Sequence, residues 1–188
     1  MTQGTYSAYD SEGHRKYLTL AEGKRFRRCA SRLPQDQASF CLILYFTGMR
    51  ISEALALTAM DVDFSMCVLR VRSLKKRAKK EFRRIPVPDS LISALQTIVE
   101  SHAEGPLWTF SRSTAWRIVK RVMADAEISG IQATAKGLRH GFGVRGALAK
   151  VPLNLLQLWF GHSQATTTAI YLDVRDEEER ELMQRTWK

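Results

Sequence analysis

Cysteine is scarce in this 188-residue chain, and what there is does not pair. Cys29, Cys41 and Cys67 are odd in number and form no Cys-x-x-Cys motif, which excludes a disulfide framework and a zinc ribbon. No apolar run approaches the roughly 20 residues that a membrane-spanning helix needs. The opening stretch, MTQGTYSAYDSEGHRKY, is polar and lacks the apolar segment of a secretory signal. There is no glycine-rich phosphate loop, no carboxylate cluster suited to magnesium, no internal repeat and no low-complexity segment. Acids are also in short supply, at 19 Asp and Glu against 29 Lys and Arg, for a net charge of +10. Such an excess marks a polyanionic partner, nucleic acid before membrane. The chain reads as soluble, intracellular and facing nucleic acid, with no metal and no cofactor.

What is present is enough for one domain with a real core, since 45% of the residues are hydrophobic. Residues 1–17 are polar and aperiodic and read as a flexible arm. Thr19 is a candidate N-cap for a basic helix ending before Pro34. Residues 37–48, QASFCLILYFTG, are apolar nearly all round, which predicts a central buried helix stopped by Gly48. A second helix is expected at once over RISEALALTAMDV. Alternating, β-branched stretches at 66–76 and 83–88 predict a hairpin with a charged tip. Further helices are expected over 89–102, over 111–128 with Ser113 or Thr114 as cap, over AKGLRHGFGVRGALAK, over PLNLLQLWFG, and finally over 176–188. The fold class is mainly α with a small antiparallel β-sheet.

Several short stretches carry the chemistry. In TGMRISEALAL, a glycine ends the buried helix and Arg50 begins the next, where a guanidinium and helix-end amides suit an anion. Glu53 lies three residues on and is placed to orient Arg50. Between Arg70 and Arg84, nine of fifteen residues are Lys or Arg and one is acidic, Glu81. Like charges so crowded cost stability unless a polyanion neutralises them. In KGLRHGF, Lys136, Arg139 and His140 stand at i, i+3 and i+4, so a helix brings them to one side. In LWFGHSQATTTAIYLDV, a polar connector separates His162 from Tyr171: it is either a plain loop that happens to hold both, or a spacer that positions the tyrosine so that the two meet at one reactive atom. A phenol is a poor nucleophile unless neighbouring cations or a base activate it.

Taken in order, TGMRISEALAL, KGLRHGF and LLQLWFGHSQATTTAIY resemble the two arginine boxes and the nucleophile box of the tyrosine recombinase (phage integrase) family, across roughly residues 15 to 185. The resemblance implies the catalytic-domain fold of that family over 18–175. It implies that Arg50 and Arg139 clamp the scissile phosphate, that His162 donates to it, and that Tyr171 attacks it to form a 3′-phosphotyrosyl bond. The family's hairpin lysine, acid for the leaving 5′ oxygen, falls at Lys75 or Lys76, with Lys75 favoured. Lys136 stands where the family usually has histidine, which leaves the acceptor of the tyrosine proton hard to assign. Glu53 and His140 match supporting positions. DNA contacts are expected from Arg72, Arg77, Lys79 and Lys80 in the hairpin, and from Arg117, Lys120 and Arg121 on one face of the 113–126 helix.

The partner so implied is double-stranded DNA, bound by a homotetramer on paired sites that is monomeric or weakly dimeric when free, in the cytoplasm beside the nucleoid. The 176–188 helix would dock in trans on a neighbour. Only 49 residues precede Arg50, fewer than the family's usual helical clamp domain, similar to the small fimbrial-switch invertases. Two other readings compete: a DNA-binding regulator on the same fold with impaired strand transfer, and a type IB topoisomerase.

Overall fold

The stretch that is apolar all round forms the axis of the molecule. In the computed structural model, which describes residues 7–73, 81–101, 105–172, 180, 183 and 184, it is helix α2 (Gln35–Thr47). Phe40, Cys41, Ile43 and Leu44 are at most 1% exposed, and Gly48 closes the helix in the left-handed conformation at φ 60°. Packed around it are α1 (Leu20–Ala30), α4 (Asp89–Ser101), α5 (Arg112–Asp125) and α6 (Ala135–Leu148). Thr19 caps α1 through a capping box with Glu22, as its position predicts. The class expected from the sequence, mainly helical with one small antiparallel sheet, is the class observed.

Local differences have physical causes. The helix expected over RISEALALTAMDV stops early: α3 covers only Ile51–Leu55, and a 3-10 turn (Ala59–Asp61) leads into strand β1 (Val62–Asp63). Thr58 starts that turn in an extended conformation, its backbone amide and hydroxyl both donating to Asp61 at 3.0 and 2.9 Å. The predicted hairpin is β2 (Val68–Arg72) and β3 (Phe82–Pro86), and β1 adds a third antiparallel strand on the far side of β2. Helix α5 is capped by Ser111, whose Oγ accepts from the Thr114 amide at 3.1 Å, rather than by Ser113 or Thr114. Pro152 is the N-cap of α7 (Leu153–Phe160). The polar connector after α7 is helical, with α8 (Thr166–Ala169) followed by a 3-10 turn (Ile170–Leu172).

The expected flexible arm is corrected over its described part, residues 7–17. Ala8, Tyr9 and Tyr17 are buried, and with Val144, Leu156, Phe160 and Tyr171 they form a second apolar cluster. Asp10 closes a tight turn by accepting the amides of Glu12 and His14, and the Lys16 amide returns to the Ala8 carbonyl. Arg15 then forks onto Glu22 at 2.6 and 2.8 Å, fastening the segment to α1. A polar composition concealed two anchoring tyrosines. Lys75, Lys76, Arg77, Lys79 and Lys80 lie outside the described residues, as does most of 176–188. No helix among the described residues is long and apolar enough to cross a membrane.

Candidate active site

Helix α6 starts at Thr134, whose side chain caps the Gly137 amide, and it carries Lys136, Arg139 and His140 toward one cleft. Arg50 comes to the same cleft from the start of α3, and Gly161, His162 and Tyr171 come from beyond α7. The cleft has a volume of about 1010 Å³. It brings together Arg50, Lys136, Arg139, His140, His162 and Tyr171, the residues that sequence spacing singled out. Lys16 and Arg112 line it too and were not anticipated. Lys16 lies in the segment that reads as an arm, and Arg112 follows directly on the observed cap Ser111, two or three residues before the caps expected from the sequence.

Arg139 is held from several directions. One Nη donates to the Gly48 carbonyl at 2.7 Å, and the other to the Phe160 carbonyl at 2.9 Å. The second Nη also lies 3.0 Å from Nε2 of His162. A guanidinium only donates, so Nε2 is the acceptor and Nδ1 carries the proton, directed at Thr168 Oγ1, 2.9 Å away. Thr168 is fully buried, so the connector supplies a fixed partner for His162 as well as reach for the tyrosine. Burial, with Arg50 as the nearest like charge, lowers the Arg139 pKa to about 10. It stays charged at neutral pH, in surroundings that favour an incoming anion.

Tyr171 stands at the back of the cleft, 2% exposed. Its ring stacks on Phe160 at 5.1 Å between centroids, and Phe160 stacks in turn on His162 at 4.8 Å. Burial raises the Tyr171 pKa to about 12, against the pull of Arg139 and Arg50. The phenol therefore keeps its proton at neutral pH. The hydroxyl is 3.1 Å from His140 Nδ1, and this contact goes to His140 rather than to His162. Burial first, then Lys136, Arg139 and Lys16, pushes the His140 pKa down to about 4. The imidazole is neutral and able to accept the phenolic hydrogen bond.

The basic residues of the sheet divide into two kinds. Arg72 is exposed. Arg70 and Arg84 are paired within the chain, to Asp61 and Asp63 at 3.3 and 3.5 Å, and Arg83 is buried against Glu53. The expected charge crowding is thus partly answered internally. On α5, Arg117 and Arg121 are exposed, while the Lys120 ammonium donates to the Ala133 carbonyl at 2.9 Å. Val119 and Met123 face the core, but Trp116 is 51% exposed on the outer side.

With this geometry in place, comparison decides the family: the profile of the phage integrase family matches residues 16–178. The chain belongs to the phage integrase family. It is 30% identical over 184 residues to the tyrosine recombinase XerA of Pyrococcus furiosus, covering 90% of this chain and 61% of that one. It is 28% identical over 159 residues to the tyrosine recombinase XerD of Yersinia pestis, covering 76% of this chain and 51% of that one. The chain thus spans about 61% of the length of the first of these relatives. The crystal structure of XerA recombinase superposes with a TM-score of 0.78 at 25% identity, over 90% of this chain and 64% of that one. The catalytic domain of bacteriophage HP1 integrase has the same fold, with a TM-score of 0.66 at 23% identity over 89% of this chain and 93% of that domain.

Proposed function

We propose that this chain is the catalytic portion of a site-specific DNA recombinase that cuts and rejoins strands through a 3′-phosphotyrosyl intermediate. The observation that carries the reading is the meeting, in one cleft, of Arg50, Lys136, Arg139, His140, His162 and the buried Tyr171. Attack by a phenol oxygen on a phosphodiester needs charge stabilisation at the phosphate and a proton for the departing 5′ oxygen. Arg50 and Arg139 supply the first. When a phosphate enters, Arg139 turns part of its fork from His162 to the phosphate oxygens. The imidazole exchanges its Nδ1 proton for one on Nε2 through solvent, Thr168 then donates its hydroxyl to Nδ1, and Nε2–H donates to the phosphate. Lys75 supplies the proton, with Lys76 as the neighbouring choice. The phosphotyrosyl ester conserves the bond energy, so rejoining needs no nucleotide.

The net charge of +10 suits double-stranded DNA, with contacts from Arg72, Arg77, Lys79, Lys80, Arg117, Lys120 and Arg121. In this reading residues 18–175 are the catalytic domain. The 176–188 segment docks on a neighbouring subunit to close a ring of four on paired sites. In this reading the protein works in the cytoplasm, beside the nucleoid.

The test uses a nicked duplex carrying the natural flanking DNA, which traps a covalent adduct once the short 5′ fragment diffuses away. Wild-type protein forms a denaturant-stable adduct, and Tyr171→Phe binds the duplex but forms none. An adduct that survives in the phenylalanine variant would make another residue the nucleophile.

A further inference from the structure

In strand β3, Ile85 points into the core and alternation puts Arg83 on the same inward face. Arg83 is 5% exposed, opposite Val71 of β2. A buried guanidinium must be partnered, and each of its three nitrogens is. One Nη donates to Glu53 Oε2 at 2.7 Å, the other reaches Oε1 at 3.4 Å, and Nε donates to the Trp159 carbonyl at 2.7 Å. Its Nη1 also packs against Gly161, where a Cβ would stand 3.2 Å from it.

Glu53 serves Arg50 with the same two oxygens. Oε1 accepts from the Arg50 guanidinium at 2.9 Å and Oε2 from the Arg50 backbone amide at 3.0 Å. Two guanidinium groups thus share one carboxylate, leaving one positive charge in excess. The excess is expressed toward the cleft, because the Arg50 side chain is 30% exposed and that of Arg83 only 5%. Without Arg83, the whole carboxylate charge would face Arg50 alone.

We infer that Arg83 is a positioning residue of the active site: through Glu53 it sets the orientation and the available charge of Arg50, and through Trp159 and Gly161 it ties β3 to the turn that presents His162. Burial works against the Glu53 charge, but hydrogen bonds and charge from Arg83, ahead of those from Arg50, hold its pKa below the usual carboxylate value. The carboxylate is therefore ionised and committed to both arginines across the neutral range. Arg83 does not touch the phosphate; it acts through Arg50.

The inference rests on the strand-transfer reading for its kinetic test, and it has a second readout that does not. The first measurement is the rate of covalent adduct formation at saturating nicked duplex for wild type, Arg83→Gln, Arg50→Lys and the double variant. Arg83→Gln should slow the adduct about 10- to 100-fold while duplex affinity stays within about threefold, and in the Arg50→Lys background the same change should cost less than about threefold. A purely structural residue would cost the same factor in both backgrounds, and that result overturns the inference, as does a wild-type rate for Arg83→Gln. Arg83→Lys, which keeps the buried charge but loses the fork, replaces Arg83→Gln in the cycle where the glutamine variant does not fold. The second measurement is affinity for inorganic phosphate, followed by the imidazole resonances of His162. It should fall about tenfold in Arg83→Gln but not further in Arg50→Lys. If wild type forms no adduct, the strand-transfer reading fails and this phosphate cycle alone decides for or against Arg83.

Discussion

The Tyr171 hydroxyl is anchored on His140, with 3.1 Å between Oη and Nδ1. The phenol keeps its proton up to about pH 12, and the imidazole is unprotonated down to about pH 4. Across the physiological range both groups are neutral, and with the imidazole proton on Nε2 the phenol donates and Nδ1 accepts. This bears on a question that Lys136 leaves open, namely which group first meets the tyrosine proton.

The pH dependence of stability follows from the sign of the His140 shift. Its folded pKa of about 4 lies below its ordinary value of 6.5, so the unfolded chain binds the extra proton between those limits. Stability is full above about pH 6.5 and declines as pH falls toward 4. Urea unfolding at a series of pH values measures this, and His140→Asn should flatten the slope. An imidazole that titrates near 6.5 in the folded protein by NMR would remove the basis of the prediction.

Gly143→Ala tests the bed on which Tyr171 lies. A Cβ there would come within 2.5 Å of the Tyr171 ring, a distance no real Cβ contact tolerates. The ring must shift, at a stability cost of about 1–3 kcal/mol. Adduct formation should fall while duplex affinity holds, as read by gel shift and denaturing gel on the same sample.

The two arginines should differ in what their loss costs. Each Ala variant should reduce cleavage by about 10²–10³-fold at saturating DNA. Arg139→Ala should in addition lower the Tm, because it strips donors from the carbonyls of Gly48 and Phe160, a penalty of about 1–3 kcal/mol for each that is left unsatisfied. Arg50→Ala leaves Glu53 with Arg83 as partner and should melt nearly as wild type does. Calorimetry beside the cleavage assay separates the two effects.

The hairpin lysine can be identified by changing the leaving group. A 5′-phosphorothiolate departs as a thiolate and needs little protonation, so it should restore cleavage by Lys75→Ala. Restoration of Lys76→Ala instead moves the assignment by one residue, and restoration of neither places the acid elsewhere.

Part of the cleft was legible because helical spacing is strict, and Arg50, His162 and Tyr171 stood out through the order of the family's boxes. Lys136, Arg139 and His140 at i, i+3 and i+4 had to share a face once α6 formed, and Gly48 had to end a helix as apolar as α2. Legibility failed where tertiary contacts overrode local composition. Tyr9 and Tyr17 sit among polar neighbours, and nothing in their spacing announced that both rings join the buried cluster that holds Tyr171. Arg83 was submerged in a run of basic residues, although its period-two relation to Ile85 already placed it inward. The contact of Tyr171 with His140 joins residues 31 positions apart, and no local pattern encodes it.

The buried axis has a consequence for genetics. Helix α2 ends at Gly48, two residues before Arg50, and the Gly48 carbonyl is itself gripped by Arg139. Its core residues Phe40, Ile43 and Leu44 therefore set where both arginines stand. Trimming one of them costs about 2–5 kcal/mol, a large share of the stability of a small domain. Alleles in α2 should behave as heat-sensitive losses of function, active in the cold and silent on warming. Alleles in the cleft should fail at every temperature. A random screen sorted by temperature would therefore trace the inside of this protein before it found the catalytic centre.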